Sequence, residues 1–201
     1  MKRKTIVAAS SNNGKLKEIK KIFNDYEVVS IKDMEEKLNK KIIVKEEQDT
    51  FKENALEKVR DLYNEVGDKY ICIGDDSGIS IDILNGFPGV YTARWMDASD
   101  YIKNIELLKR VGNVSKDKRG CHYTTVIALK SKDYEETFSY TLDGYVSNEI
   151  RGENGFGFDE IFELENGLTL AEISTDEKLK ISPRKIVLDM VDDFVKKREE
   201  I

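Results

Sequence analysis

The residues best suited to chemistry are two adjacent carboxylates, Asp75 and Asp76, which lie between glycines in Gly74-Asp75-Asp76-Ser77-Gly78. Like charges this close repel, and each raises the pKa of the other unless a cation lies near them. Mg²⁺ typically takes one or two carboxylates and leaves its other positions to water and substrate phosphates. Because Asp, Ser and Gly are also common turn residues, a plain solvated turn explains these five residues equally well.

A second candidate is the polar loop that joins an apolar, strand-like run to a helical pattern. It consists of Ser10, Ser11, Asn12, Asn13, Gly14 and Lys15. The free amides and positive dipole end of a helix at such a junction favour anions. The loop is not a phosphate-binding Walker loop, because Leu16 replaces the required Ser or Thr and the leading glycine is missing. The alternative is that Asn12 or Asn13 only caps the helix.

Two glutamates, Glu46 and Glu47, precede the helix that holds Lys58. A carboxylate here completes a metal site with Asp76 if the fold brings residue 46 beside residue 76. The alternative is a solvated, charged surface, and the sequence alone leaves both interpretations open.

The segment Gly152–Asp159 places Phe156 and Phe158 among glycines. Such a loop suits a flat ligand that stacks on an aromatic ring, while a tight turn with both rings in the core is an alternative that does not exclude the first. Lys178 provides a point charge, and Arg184 provides a planar fork for a phosphate or carbonyl. The alternative is that both residues only contribute to ordinary charge complementarity along a helix.

The elements that position these residues follow from hydrophobic periodicity and from start and stop signals. Strands are predicted at 4–9, 28–31, 42–44, 70–73, 79–84, 121–130, 134–142 and 160–164, with a hairpin joining 121–130 to 134–142 and a glycine-rich loop over 144–158. Helices are predicted at 15–24, within 32–49, from the capping box at Thr50 to Gly67, at 99–111, from Ser174 to Ile181, and from Pro183 onward. This order predicts one mixed α/β domain over residues 1–201.

Composition excludes several classes of protein. The chain has 201 residues and a net charge of −6, with both signs interspersed, which disfavours a nucleic-acid or membrane binder with a basic face.

Cys72 and Cys121 lie in apolar, strand-like runs and predict buried, reduced thiols. His122, the only histidine, falls inside a predicted strand and is expected to be structural, so no histidine-dependent triad is available. No run approaches the ~20 apolar residues needed to span a bilayer, and we expect a soluble, cytoplasmic protein.

Taken in order, these stretches resemble the inosine/xanthosine triphosphate pyrophosphatase family, which removes non-canonical purine nucleotides. The matching stretches are 10–18, 50–55, 75–78 with 87–94, 155–159, and 171–173 with 177–184. Each motif alone is weak, but five motifs in register over nearly the whole chain are specific.

The resemblance implies an elongated α/β body whose mixed sheet is flanked by helices and forms a cleft between two lobes, usually as a homodimer. It also implies Mg²⁺-dependent cleavage of ITP, dITP and XTP between the α and β phosphates, which gives the monophosphate and pyrophosphate.

The resemblance further implies roles for individual residues. Asp76 is then the catalytic carboxylate and a metal ligand, and Glu46 is the second metal ligand, with Glu47 as the neighbouring candidate. The implied triphosphate and sugar contacts are Ser10, Ser11, Asn12, Asn13, Gly14, Lys15, Lys58 and Ser77. The implied base pocket comprises Phe156, Gly157, Phe158, Asp159, Lys178 and Arg184, with Arg94 near the same cleft.

The chain departs from the family at Ser182-Pro183-Arg184, where the family typically has Ser-His-Arg. Proline is well tolerated at the first helical position, so we expect the helix to survive and the imidazole that helps to read the 6-oxo edge of the base to be lost. We therefore expect hydrolysis with weaker or differently built base discrimination. The alternatives are a nucleotide-binding protein of the same fold with little turnover, and a Mg²⁺-dependent phosphohydrolase with relaxed base specificity.

Overall fold

A computed structural model describes residues 4–199, which contain six strands and six α-helices. The strands are β1 Thr5–Ala8, β2 Glu27–Ser30, β3 Ile71–Ile81, β4 Gly120–Lys130, β5 Glu135–Val146 and β6 Phe162–Glu163. The helices are α1 Asn13–Ile22, α2 Ile31–Leu38, α3 Phe51–Val66, α4 Asp100–Val111, α5 Thr175–Ile181 and α6 Pro183–Glu199.

The strands form one sheet in the order β2-β1-β3-β4-β5-β6. Strand β1 pairs in parallel with β2 and β3, so that Val7 lies opposite Val29 on one side and Cys72 on the other. Strands β5 and β6 are antiparallel. The predicted mixed sheet and α/β class are therefore confirmed.

The chain divides into two compact units, and strands β3, β4 and β5 pass from one to the other. Unit 1 contains the described residues of 4–76, 125–140 and 184–199, and unit 2 contains residues 77–124 and 141–183. One domain over residues 1–201 stays a prediction.

Unit 1 has helices on both faces of its strands, because alternate strand residues point to opposite sides. Ile6, Ile73 and Leu129 belong to one apolar cluster, which contains buried residues of α1 and α6. Their neighbours Val7 and Cys72 belong to a second cluster, which contains buried residues of α2 and α3. The strands are buried on both faces, as in parallel α/β proteins.

Unit 2 has its own apolar core, which contains Ile79, Leu107, Val146, Phe162 and Ile173. These residues come from β3, α4, β5, β6 and the segment before α5. His122 is partly exposed here and bonds two carboxylates, with Nδ1 2.7 Å from Asp143 and Nε2 3.0 Å from Asp82. These two contacts connect β4 to β5 and to Asp82, which directly follows β3, as suits the structural role expected for this histidine.

Most predicted elements are confirmed, including the hairpin between β4 and β5, which a hydrogen bond from Ser131 N to Tyr134 O closes at 2.9 Å. Ser174 and Glu177 form the predicted capping box of α5. At Thr50 only half of the predicted capping box is observed: the hydroxyl accepts from the Glu53 amide of α3 at 3.1 Å, and the Glu53 carboxylate accepts from this hydroxyl at 2.9 Å.

Several predictions are wrong in detail. The run 42–44 is not a strand, and its Ile42 amide donates to the Glu35 carboxylate of α2 at 3.0 Å. The acidic turn does not exist, since β3 continues through residues 74–78 without a break. The strand predicted at 79–84 ends at Ile81, and Asp82–Leu84 form a short 3-10 helix. Residues 144–146 belong to β5 rather than to a loop, and the strand predicted at 160–164 is only Phe162–Glu163.

Both cysteines are buried free thiols, as predicted. Burial raises the pKa of the Cys72 thiol to about 12. Within residues 4–199, no helix combines the length and the hydropathy that crossing a bilayer requires.

Candidate active site

The paired carboxylates lie in β3 where α3 packs very closely against the strand. A Cβ atom on Gly74 would lie 2.6 Å from the Ala55 carbonyl oxygen of α3, so a glycine is needed immediately before Asp75. The close approach brings Lys58 of α3 to the strand, where its Nζ donates to the Asp75 carbonyl oxygen at 2.9 Å.

The Asp75 carboxylate is buried between two cations that are remote in sequence. The Arg184 Nε donates to Asp75 Oδ2 at 2.8 Å, and the Lys15 ammonium binds Oδ1. Burial alone would raise the pKa of the Asp75 carboxyl, but Lys15 and Arg184 outweigh burial and hold the pKa below its usual range. Asp75 is therefore an ionised carboxylate whose oxygens are engaged in ion pairs.

The Asp76 carboxylate lies in a different electrostatic environment. Its Oδ1 is 3.3 Å from the Lys58 ammonium, which also forms an ion pair with Glu46. Burial raises the pKa of the Asp76 carboxyl, although the Lys58 ammonium offsets part of this rise. The fold thus brings residues 46 and 76 to the same ammonium group, as the metal-site interpretation requires.

One oxygen of this carboxylate is unsatisfied. Asp76 Oδ2 is buried and has no hydrogen-bond partner among residues 4–199. The buried Asn54 Nδ2 also lacks a partner within hydrogen-bonding geometry in the described chain. A buried polar atom without a partner is unfavourable and usually marks a functional site or a missing ion or water.

These groups fit a magnesium ion. Two carboxylates, Glu46 and Asp76, share one ammonium, and hard oxygen ligands of this kind are those that Mg²⁺ prefers. Across residues 4–199, no set of three or more His, Cys, Asp or Glu side chains gathers in a metal-binding arrangement. Below, "carboxylate cluster" means Glu46, Lys58, Asp75 and Asp76 with Lys15 and Arg184.

The polar loop at the start of α1 is open to solvent from residue 11 to residue 14. Asn12 is the N-cap, since its Oδ1 accepts from the Lys15 amide at 3.1 Å, and Ser10 Oγ accepts from the Asn12 amide at 3.1 Å. Asn12 therefore caps the helix, while anion binding by the loop stays a prediction. Capping leaves other amides of the first helical turn available to an anion, so both functions are compatible.

In unit 2, the loop 155–159 and Lys178 form a second group of predicted site residues, which we name the Phe156 loop. Asp159 is buried, and its Oδ2 accepts from the Phe156 amide at 2.7 Å and binds the Lys178 ammonium. The Lys178 Nζ lies 4.8 Å from the centroid of the Phe156 ring. Gly155 has a φ of +88°, and a Cβ there would clash with Asp159.

The sequence suggested either a ring that stacks on a flat ligand or a turn with both rings in the core, and each phenylalanine of this loop fits one of these interpretations. Phe156 is 60% exposed, whereas Phe158 packs against the core of unit 2. Asp100 Oδ2 accepts from the Gly157 amide at 2.9 Å, and Asn104 Nδ2 donates to the Gly157 carbonyl at 2.9 Å. Helix α4 therefore holds the loop that presents the Phe156 ring.

Three further predicted residues lie outside these contacts. Ser77 follows Asp76 in β3 and is half-buried. Arg94 is exposed, with its guanidinium 5.2 Å from the centroid of the Tyr91 ring. The Glu47 backbone amide donates to Glu57 Oε2 at 3.1 Å. Of the two neighbouring glutamates, Glu46 is the one whose carboxylate contacts Lys58.

Sequence reasoning missed two residues that support the carboxylate cluster. Glu18 accepts from the Arg184 Nη1 at 3.3 Å and so holds the guanidinium that binds Asp75. Its signal was its position, one helical turn after Lys15. Asn54 is fully buried beside Asp76, and its signal was a polar side chain immediately before the apolar stripe of α3.

A mixed α/β sheet that carries paired carboxylates, lysines and an open helix N-terminus defines a class of proteins that bind phosphate-containing anions. The chain belongs to the Ham1 family, whose model matches residues 6–194. It is 38% identical over 200 residues to a dITP/XTP pyrophosphatase from Thermoanaerobacter sp., covering 97% of this chain and 98% of that protein. It is 36% identical over 193 residues to a dITP/XTP pyrophosphatase from Sulfurimonas denitrificans, covering 92% and 95%.

Solved structures agree with this assignment. The Ham1 protein of Staphylococcus aureus superposes with a TM-score of 0.86 at 33% identity, covering 97% of this chain and 100% of that chain. The nucleoside-triphosphatase / dITP/XTP pyrophosphatase of Mycobacterium abscessus gives a TM-score of 0.77 at 31% identity, covering 93% and 97%. The family predicted from the sequence is confirmed.

Proposed function

We propose that this chain hydrolyses non-canonical purine nucleoside triphosphates (ITP, dITP and XTP) to the monophosphate and pyrophosphate. Relatives named for dITP and XTP pyrophosphatase activity match it over nearly their full length. The structural observation that supports the proposal is the buried, unpartnered Asp76 Oδ2 within the described chain, beside an ammonium that Glu46 shares. An arrangement that is unfavourable without a ligand is expected at a catalytic centre.

Mg²⁺ is the cofactor in this proposal, and Glu46 and Asp76 are its carboxylate ligands. When bound, Mg²⁺ supplies positive charge to phosphate oxygens and makes water more acidic. Asp76 also orients the attacking water and accepts its proton. Asp75, which the cations hold ionised, balances the charge of Lys15 and Arg184.

The triphosphate carries about four negative charges, so it needs several donors. Lys15 and Lys58 provide full charges, and Ser77 provides a hydroxyl next to Asp76. The loop of Ser10, Ser11, Asn12, Asn13 and Gly14 provides amides at the positive end of the α1 dipole.

The base is bound, in this proposal, by the Phe156 loop. The exposed Phe156 ring offers a stacking face, and backbone groups of Gly157 and Phe158 together with Asp159 and Lys178 offer polar contacts. We retain Arg94 and Arg184 as base-side residues, and Arg184 has the additional role of binding Asp75.

We also propose that the protein acts in the cytoplasm as a homodimer. Its two cysteines are free and buried within the described chain, which suits a reducing compartment.

A second candidate function is Mg²⁺-dependent hydrolysis with relaxed base specificity. Pro183 favours it, because the first residue of α6 has no side-chain donor or acceptor for the base.

The experiment is pyrophosphate release from ITP, XTP, dITP, GTP and ATP, each with Mg²⁺ and with a chelator. The proposal expects fast, Mg²⁺-dependent release from the first three and little from GTP and ATP. Comparable rates on all five would favour relaxed specificity. No release from any of them would refute the hydrolase and leave a binding protein of the same fold.

A further inference from the structure

The segment 45–48 contains Glu46 but forms neither helix nor strand. Backbone amides in such a segment need other partners. Three of its four amides bond side chains of α3: Lys45 N donates to Asp61 Oδ2 at 3.0 Å, Glu47 N to Glu57 Oε2 at 3.1 Å, and Gln48 N to Asn54 Oδ1 at 2.9 Å. The segment is therefore attached to one helix by its own backbone.

The three acceptors lie on a single face of α3. Asn54, Glu57 and Asp61 are spaced by three and four residues, which places them above one another along a helix. Their partners occur in the opposite order, so the segment runs antiparallel to the helix axis. Lys58, on the same face, binds the Glu46 carboxylate, whose residue lies between the bonded amides of Lys45 and Glu47.

We propose that Asn54, Glu57 and Asp61 are positioning residues, which fix the backbone of segment 45–48 and so hold the Glu46 carboxylate toward the metal. This inference rests on the proposed function, in which Glu46 binds Mg²⁺. A metal ligand on an irregular segment gains affinity when its backbone is held in place, because less freedom is lost on binding. Groups that orient metal ligands in this way typically contribute about 10–100-fold in metal affinity or activity.

One of the three residues makes a second contact that strengthens the attachment. Glu57 Oε1 accepts from Gln48 Nε2 at 2.9 Å, so its carboxylate binds two consecutive residues of the segment. Asn54 is fully buried, so its bond to the Gln48 amide is shielded from water. It lies one helical turn before Lys58, the residue that binds both Glu46 and Asp76.

The test compares Asp61→Ala and Glu57→Ala with Asp61→Asn, whose side-chain oxygen can still accept the Lys45 amide. The matched control is Glu65→Ala, which removes from the same helix a carboxylate that pairs with Lys40 at 2.6 Å. Two quantities are measured: the Mg²⁺ concentration that gives half-maximal pyrophosphate release, and amide hydrogen exchange at residues 45, 47 and 48 in metal-free protein.

We expect both alanine variants to raise the half-saturating Mg²⁺ concentration by about 10-fold, with turnover at saturating Mg²⁺ close to wild type and faster exchange at the three amides. Asp61→Asn should keep the half-saturating Mg²⁺ concentration and the amide exchange close to wild type. Glu65→Ala should change neither quantity. Unchanged Mg²⁺ dependence in active alanine variants would overturn the inference, as would unchanged amide exchange. Absence of release by the wild type would refute the proposed function instead, and amide exchange would still decide whether α3 holds the segment.

Discussion

The carboxylate cluster and the Phe156 loop each contain a buried aspartate bound by a lysine, but they are built in different ways. In the cluster, Asp75 binds residues 60 and 109 positions away in sequence. In the Phe156 loop, Asp159 binds residues 3 and 19 positions away. The cluster buries the charges of Lys58, Asp75, Asp76 and Arg184, whereas the loop exposes an aromatic ring.

This difference suits the two regions to different functions, one in the reaction and one in recognition of the base. A cluster of buried charges held by long-range contacts is expensive to assemble, and it can act on the charges of a reacting phosphate. A local loop with an exposed ring offers a flat apolar face, which recognises a base without taking part in the reaction. Substitutions in the cluster should therefore change stability and turnover, and substitutions in the loop should change binding.

The largest effect on stability is expected for Asp75→Ala. Removal of this carboxylate leaves the Lys15 and Arg184 cations without their buried partner, and breaking a buried ion pair typically costs about 3–5 kcal/mol. Because the pKa of Asp75 is lowered in the folded protein, its stabilisation is present above the usual aspartate pKa and is lost as the pH falls through the folded value. Urea unfolding at pH 7 and at low pH measures both.

The exposed Asp133 is the matched control, since Asp133→Ala should change the free energy of unfolding by less than about 0.5 kcal/mol. A loss of comparable size in both variants would contradict the contrast between buried and exposed charge.

A smaller and different effect is expected for Phe156→Ala. Loss of a stacking face typically removes about 1–3 kcal/mol of base binding, so KM should rise about 10-fold or more while kcat stays close to wild type. The 60% exposed ring contributes little to folding. Steady-state kinetics with XTP measures the split, and Phe156→Tyr, which keeps the ring, is the control. A fall in kcat at unchanged KM would place this ring in the reaction instead.

The smallest effect is expected for Pro183→His. A histidine at the first residue of α6 restores a side chain that can hydrogen-bond a base, and one such bond is typically worth about 1 kcal/mol. We expect the ratio of kcat/KM for ITP to that for GTP to rise about fivefold. Pro183→Ala removes the proline ring without adding a donor and should leave the ratio near wild type. If the histidine variant keeps the wild-type ratio, the idea of a lost specificity group is wrong.

Local patterns predicted the helices well and the acidic motif poorly. Helix α3 was predictable from the Thr50 cap and the stripe of Ala55, Val59 and Leu62. By contrast, Gly-Asp-Asp-Ser-Gly has the composition of a turn and lies within a strand, because Lys15 and Arg184 compensate the charge of Asp75. No local pattern contains partners so distant in sequence.

The run 42–44 also shows that a local pattern can predict the wrong structure, here a strand where none forms. Its apolar residues suggested a strand, yet Ile43 is 75% exposed, and the Ile42 amide donates to the Glu35 carboxylate at 3.0 Å. The amides of this part of the chain bond helix side chains rather than a strand edge. Ion pairs such as Lys58 with Glu46 depend on this course of the chain, so this part of the candidate site could be guessed by resemblance but not by periodicity.

The most direct test of the account measures kcat and the free energy of unfolding for Asp76→Asn side by side. Burial raises the pKa of Asp76, so the folded state binds this proton more tightly than the unfolded state, and stability falls as the pH rises through the raised pKa. Asparagine has no charge to desolvate. We predict that kcat falls about 1000-fold while the free energy of unfolding at pH 7 rises. Turnover close to wild type, or a parallel loss of turnover and stability, would contradict it.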